Sequence, residues 1–228
     1  TTQLLSGFDE LHREEMEISC AGRVMSKRDM GKTIFFHIQD QFGQIQCLAR
    51  IHGLTEGAFQ VVKSKMKMGD IVGVKGTMFN TRTGEKTIHL NDVQMLTISS
   101  RPMPEKYHGF KDMEDRYRKR YLDLIMNPKT REVFSARFGL ISAIRAYLQS
   151  SGFIEVETPI LQTSPCGATA NPFVTHHDSL DIDQYLRISP ETFLKQLIVA
   201  GYDKVFELGR NFRNEGMDQS HLQEFTML

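Results

Sequence analysis

Tryptophan is absent from the 228 residues, and cysteine occurs only three times. Cys20, Cys47 and Cys166 are odd in number, far apart and without a CxxC pair. That fits buried or idle thiols in a reducing, cytoplasmic compartment better than disulfides or zinc. An excess of one charge is missing too, since 28 Lys and Arg balance 28 Asp and Glu. Zero net charge argues against a non-specific DNA coat, although a neutral total can hide a basic groove. No apolar run approaches the ~18 residues that a membrane span needs. Thr1 to Met16 mixes Asp9, Glu10, Arg13, Glu14 and Glu15 with two adjacent leucines, unlike a signal peptide. What is present, 40% hydrophobic and 25% charged residues, is globular in kind and long enough for one large or two smaller domains.

The first hundred residues read as a small β-domain. Glu17 to Arg28, Thr33 to Ile38 and Gln44 to Arg50 carry strand patterns, parted by turns at Asp29–Lys32 and Gly43. Phe59, Val62 and Met66 then recur at helical spacing, and Ile71 to Met78 and Lys86 to Ile98 supply two more strands around Thr83-Gly84-Glu85. Three strands, a helix and two strands is the order of an OB-fold barrel, among other small barrels. Phe35 and Phe36 are neighbours on one strand, so one enters the core while the other lies on the surface, where a base could stack on it. Arg23, Lys27, Arg28 and Lys32 surround the first turn as candidate phosphate partners. Two core rings and a solvated basic turn are the plainer reading of these residues alone.

Ser99 to Pro104 is polar and broken by two prolines, as a linker would be. Residues 111–124, KDMEDRYRKRYLDL, predict a charged helix with Tyr117, Tyr121 and Leu124 turned inward. Phe134, Phe138, Ile141, Ile144 and Leu148 predict a longer helix that stops at Gly152. FIEVETPIL (153–161) follows as an alternating strand interrupted by Pro159, which belongs at an edge or strand end. Such a helix and strand suit a subunit interface or ordinary packing. The loop SPCGATANPF (164–173) lets a ligand approach backbone. Ser189-Pro190-Glu191 predicts a helix start with Ser189 as cap, where Glu191 serves the helix dipole or receives an ammonium.

The last segment, Lys204 to Leu228, predicts a hairpin. On its first strand Phe206, Leu208 and Phe212 share one face, and Glu207, Gly209, Asn211 and Arg213 the other. Glu224-Phe225-Thr226 returns after a loop at Gly216-Met217-Asp218. Arg213 offers a planar fork suited to phosphate or carboxylate, His221 a further donor, and Phe225 a flat stacking face. Salt bridges and core aromatics remain the alternative for these residue types.

FIEVETPIL closely resembles motif 1 of class II aminoacyl-tRNA synthetases, and FRNE (212–215) with the loop and strand through Phe225 resembles motif 2. An OB-fold ahead of them points to the aspartyl, asparaginyl and lysyl subgroup. Within it GKTIFFHIQDQFGQIQ (31–46), RYRKRYLDL, GATANPFVTHH and YLRISPETFLKQL are similar to the lysyl-tRNA synthetases. The resemblance implies an all-β OB-fold anticodon-binding domain over 1–98 and a linker over 99–110. After them comes the first part of an α+β catalytic domain over 111–228, an antiparallel sheet flanked by helices. It implies activation of lysine with ATP and Mg²⁺ and transfer to tRNA(Lys). In that scheme Phe35 stacks on the central uridine of the anticodon, with Arg28, Gln46 and Glu85 near its base edge. Arg213 bridges the α-phosphate of ATP and the lysine carboxylate. Glu215 and His221 contact the adenine end or the outer phosphates, and Phe225 stacks on adenine. The Gly167 carbonyl and Glu191 hold the α-ammonium, and Pro159 lies in a homodimer interface.

Two departures stand out. Where the family has His-Asn-Pro-Glu-Phe, this chain has His221-Leu222-Gln223-Glu224-Phe225, and a leucine cannot make an amide contact to adenine. The chain also begins without methionine and stops at Leu228, so motif 3 and the magnesium carboxylates are expected beyond Leu228, in a longer protein. An aspartyl or asparaginyl enzyme is the first alternative, against which Glu191 beside Pro190 and the VTHHD segment speak. A non-catalytic nucleic-acid-binding relative is the second, against which the intact FRNE and His221 speak.

Overall fold

Ile34, Phe36 and Ile38 point to one side of a strand and are buried, while Thr33, Phe35, His37 and Gln39 face the other way and stay half-exposed. This two-residue period, repeated along neighbouring strands, leaves one apolar face that closure into a barrel hides from water. The computed structural model describes residues 1–13, 15–104, 110, 112–218 and 220–228. They form two compact units, Thr1–Arg118 and Lys119–Leu228. Part of the expected linker, 105–109, lies outside the described residues, as does Lys111 at the start of the expected charged helix.

The first unit opens with two short helices that the sequence reading did not anticipate, α1 (Thr2–Ser6) and α2 (Phe8–Arg13). Then come β1 (Glu17–Asp29), β2 (Thr33–Gln39), β3 (Gln44–Arg50), α3 (Glu56–Gln60), β4 (Ile71–Asn80) and β5 (Lys86–Thr97). The strands close a barrel in the order β1-β2-β3-β5-β4, with β3 and β5 parallel and the other pairs antiparallel. That is OB-fold topology. The Thr55 hydroxyl caps α3 by accepting from Ala58 N at 3.3 Å. A π-helical turn, Val61–Lys65, extends α3, and Phe59, Val62 and Met66 enter the core with Phe8. Gly31 and Gly84 take positive φ at two of the three predicted turns, whereas Gly43 does not.

The charged segment departs from expectation. It forms α4 (Met113–Arg118) and α5 (Arg120–Met126), interrupted at Lys119. Tyr117 and Tyr121 are 65% and 62% exposed rather than inward, and Leu124 is half-buried. The buried group on α5 is polar: Asp123 pairs with Arg120 and accepts from Asn127 and Thr130. A carboxylate so well partnered can occupy the inward position that an apolar reading gives to tyrosine. The helix α6 (Pro128–Ser150) starts with Pro128 in its first turn and ends just ahead of Gly152, at φ +83°.

FIEVETPIL is not one strand. It divides into β6 (Ile154–Glu155) and β7 (Leu161–Gln162), with Pro159 in the irregular stretch between them. The remaining elements are β8 (Val174–His177), β9 (Ile182–Leu186), α7 (Glu191–Val199), β10 (Val205–Phe206), β11 (Gly209–Phe212) and β12 (Glu224–Met227). β6 pairs in parallel with β10, β9 lies between β7 and β8 in an antiparallel sheet, and β11 pairs antiparallel with β12. The expected first strand of the hairpin is likewise two, because Glu207 and Leu208 leave the ladder.

Arg187 contacts both interruptions. Its guanidinium is buried and ion-paired with buried Glu207, and it donates to Arg210 O at 2.8 Å and to Thr158 O and Oγ1 at 3.1 and 3.0 Å. Thr158 Oγ1 donates to the other Glu207 oxygen at 2.6 Å. Such a pair is tolerable in the interior because Nε and Nη1 of the guanidinium and both Glu207 oxygens find partners. The network thus sits where the ladders are broken, at Thr158 between β6 and β7 and at Glu207 between β10 and β11. The Arg187 guanidinium also fills the space that a Cβ on Gly209 would need.

Candidate functional site

In the first unit the register brings four predicted residues together. Arg28 on β1 lies opposite Phe35 on β2, and His37 lies opposite Gln46 on β3. Arg28, Phe35, Gln46 and Glu85 line one groove of about 480 Å³ with Ser26 and His37. Glu85 organises its polar end, accepting from His37 Nε2 at 2.9 Å and from Gln46 Nε2 at 2.7 Å. Thr87 Oγ1 donates to Gln46 Oε1 at 2.8 Å, which fixes the orientation of the amide. Ser26 Oγ lies 2.8 Å from His37 Nδ1. One flat ring beside oriented amide, carboxylate and imidazole groups suits stacking and edge readout of a single base. Ser26 and His37 escaped the sequence reading, although His37 is two residues from Phe35 and so on its face. The signal for Ser26 is a β-bulge between Val24 and Ser26, which no residue pattern announces.

In the second unit, Gly167 takes φ +86°, and a Cβ there would lie 3.2 Å from Ser189 Cβ and 3.3 Å from Glu191 Cβ. The loop and the start of α7 therefore meet as expected, with only glycine fitting between them. Helix α7 begins one residue later than predicted: Pro190 is its N-cap, and Ser189 Oγ accepts from Glu191 N at 3.3 Å. Glu191 is exposed and pairs with Lys195 at 2.6 Å. The same loop reaches the hairpin through Asn214 N, which donates to Asn171 O at 2.8 Å, while Phe212 N donates to Arg187 O at 2.9 Å.

Arg213 lies over the Phe225 ring, its guanidinium carbon 5.1 Å from the centroid. Its Nε is buried without a hydrogen-bond partner among the described residues, as are both amide atoms of Asn211. Buried donors are costly to leave unsatisfied, so this pair marks where an oxygen-bearing ligand gains most. Glu215 N donates to Arg213 O at 2.9 Å, and Gln223 Nε2 donates to Glu215 O at 3.2 Å, so the Gln223 amide braces the hairpin. Leu222 is 63% exposed. His221 is exposed and held by Asp218, 2.7 Å away. Hydrogen bonds from Ser220 N and the His221 ring hold the Asp218 carboxyl below the ordinary aspartate range.

Among the described residues no three His, Cys, Asp or Glu side chains are grouped to hold a metal ion. No described helix is long and apolar enough to cross a membrane. Burial pushes the Cys20 thiol up to about 11 and Cys47 well above its ordinary range, so neither is poised as a thiolate.

The sequence pattern of the tRNA synthetases class II (D, K and N) matches residues 112–228. The chain belongs to this family. Residues 18–96 match the OB-fold nucleic acid binding domain. Among curated proteins the chain is similar to the lysine–tRNA ligase of Pasteurella multocida (strain Pm70), 51% identical over 220 residues, which cover 96% of this chain and 44% of that protein. It is 52% identical over 218 residues to the lysine–tRNA ligase of Haemophilus influenzae (strain PittEE), covering 96% and 43%. It is 49% identical over 231 residues to the heat-inducible lysine–tRNA ligase of Escherichia coli (strain K12), covering 99% and 46%. The synthetase chain thus spans less than half the length of the relatives it matches.

Proposed function

We propose that this synthetase chain is the amino-terminal part of a lysine–tRNA ligase, which joins lysine to tRNA(Lys) with ATP in the cytoplasm. Identity near one half to lysine–tRNA ligases, sustained along almost the whole chain, carries the reading. Residues 1–98 form the anticodon-binding domain, 99–110 the linker and 111–228 the first part of the catalytic domain. Phe35 stacks on the central uridine, and Arg28, Gln46 and Glu85 read its edge.

Activation needs an oxygen of the lysine carboxylate to attack the α-phosphorus of ATP as the bond to pyrophosphate breaks. The terminal ribose hydroxyl of tRNA then attacks the acyl carbon and AMP leaves. No protein nucleophile is required, so the chain's work is positioning and charge stabilisation. Arg213 is the residue placed for it: its unpartnered Nε and planar fork suit an α-phosphate oxygen and a carboxylate oxygen at once. Because Arg213 covers one face of Phe225, adenine stacks on the other. Glu215 and His221 contact the adenine end or the outer phosphates. The Gly167 carbonyl and Glu191 take the α-ammonium. Mg²⁺, held by carboxylates beyond residue 228, would neutralise charge on the phosphates.

The protein acts as a homodimer through the segment around Pro159 and the preceding helix. Val133, Leu140 and Tyr147 recur every seven residues along α6 and are 68%, 61% and 70% exposed, an apolar stripe suited to a second copy. The test is ATP–pyrophosphate exchange by a protein of the relatives' full length with lysine, aspartate and asparagine in turn. Exchange with lysine alone is expected. Exchange with aspartate or asparagine reassigns the substrate, and none with any of the three favours a non-catalytic RNA-binding role.

A further inference from the structure

Beside the base groove lies a larger one, of about 1140 Å³, and the two share Ser26, Lys27 and Arg28. Its remaining walls are Lys67-Met68, just before β4, and Ser99 to Met103, just after β5. Four cationic side chains line it, Lys27, Arg28, Lys67 and Arg101, and among the described residues no carboxylate does. In a chain of zero net charge that is a marked local concentration.

The groove is built rather than incidental. Asp70 is 1% exposed; its Oδ2 accepts from Lys67 N at 2.7 Å and its Oδ1 from Ser99 N at 2.8 Å. One buried carboxylate therefore holds both walls at a fixed separation. Gly69, at φ +96°, lets Ser99 and Met103 pack against the turn, since a Cβ would lie 2.7 Å from Met103 Cγ. Lys27 Nζ donates to Lys63 O and Met66 O at 2.8 and 3.0 Å, so that lysine secures the floor. Lys67 and Arg101 are exposed and make no ion pair among the described residues. Asp70 fixes the backbone that carries them, so only these two side chains must be ordered when an anion binds.

We propose that this groove holds the phosphate backbone of the RNA whose base is stacked on Phe35. The inference rests on the anticodon reading and extends it. Continuity favours RNA over a separate ligand, because a strand leaving the base groove past the shared Ser26, Lys27 and Arg28 enters the groove that Lys67 and Arg101 also line. The base groove supplies sequence readout, whereas this one supplies affinity that is blind to sequence and sensitive to salt.

The test uses the 228-residue chain and RNA stem-loops with UUU or UCU in the loop, binding followed by fluorescence anisotropy at several salt concentrations. Each single-strand phosphate neutralised contributes about −0.7 to the slope of log K against log salt. The Lys67→Ser/Arg101→Ser double variant is expected to lose about 1.4 of slope magnitude and keep the preference for UUU. Lys67→Arg/Arg101→Lys should retain the parent slope, which separates charge from any folding defect. An unchanged slope in the serine variant overturns the proposal. So does displacement of the stem-loop by stoichiometric inorganic tripolyphosphate, which would assign the groove to a small polyphosphate. A parent chain indifferent to UUU and UCU refutes the anticodon reading itself, and the slope comparison then still decides whether this groove binds RNA backbone.

Discussion

Phe35 and Phe36 are chemically identical neighbours whose removal should have opposite consequences. Phe36 is 0% exposed in the barrel core, whereas Phe35 sits half-exposed on the groove wall. Phe36→Ala removes a whole ring from close packing, which destabilises by ~3–5 kcal/mol. For a unit near one hundred residues that lowers the melting temperature by roughly 12–25 °C, at ~4–8 °C per kcal/mol near the lower end of the range. Phe35→Ala removes a ring that water already reaches on one side, so the melt should move by only a few degrees. Its effect belongs to RNA: losing a stacking platform weakens binding by ~1–3 kcal/mol, which is ~5- to 150-fold. Thermal melts of the 228-residue chain and its variants, with stem-loop titrations on those that stay folded, separate the two. A Phe35→Ala variant that melts as early as Phe36→Ala, or one that binds the stem-loop like the parent, refutes the assignment of the faces.

The buried Arg187–Glu207 pair gives a second expectation. Arg187→Met should destabilise the second unit by ~3–5 kcal/mol by stranding a carboxylate, while adding Glu207→Leu should recover part of that loss in chemical denaturation. Additive effects of the two changes would refute the coupling. Gly167→Ala forces a side chain into a left-handed conformation and against Ser189 and Glu191. It should lose ~1–2 kcal/mol of stability and raise the KM for lysine in the full-length protein; an unchanged melt and KM would count against both. Asp218 has a lowered folded-state pKa, so what it contributes is complete above the ordinary aspartate value of about 4 and is lost as pH falls through the depressed value. Carbon-detected NMR titration of its carboxyl should give a midpoint below that ordinary value, and a midpoint at or above it would remove the Ser220 and His221 hydrogen bonds from the account.

The barrel was legible because its signal is periodic. Alternation along β2 and the first residues of β3, and glycines at Gly31 and Gly84, specify strands and turns. Alternation put one of Phe35 and Phe36 outward without saying which; resemblance to a family singled out Phe35, Arg28, Gln46 and Glu85, and the strand register shows that they line one groove. Ser26 was hidden because a bulge shifts register without any change in residue pattern. In the second unit the signal is weaker, since strands of two residues carry no period at all. Tyr117 and Tyr121 were read inward on apolar character, whereas the structure buries Asp123 because Arg120, Asn127 and Thr130 partner it. Such a network joins residues by geometry and leaves no mark in hydropathy. Resemblance to a family, not periodicity, singled out Gly167 and Glu191, and the close packing of glycine against the helix start supplies a physical reason for that glycine.

The central claim is that the Arg213 hairpin is where lysine is activated. Its most direct test is lysine-dependent ATP–pyrophosphate exchange by the full-length protein with Arg213 changed to alanine. A guanidinium facing charge that develops at the α-phosphorus matters more in the transition state than in ground-state binding. The account predicts a fall in kcat of ~10²-fold or more with the fold retained. An Arg213→Ala protein that exchanges at nearly the parent rate would contradict it and leave Arg213 as a ring-stacking structural residue over Phe225.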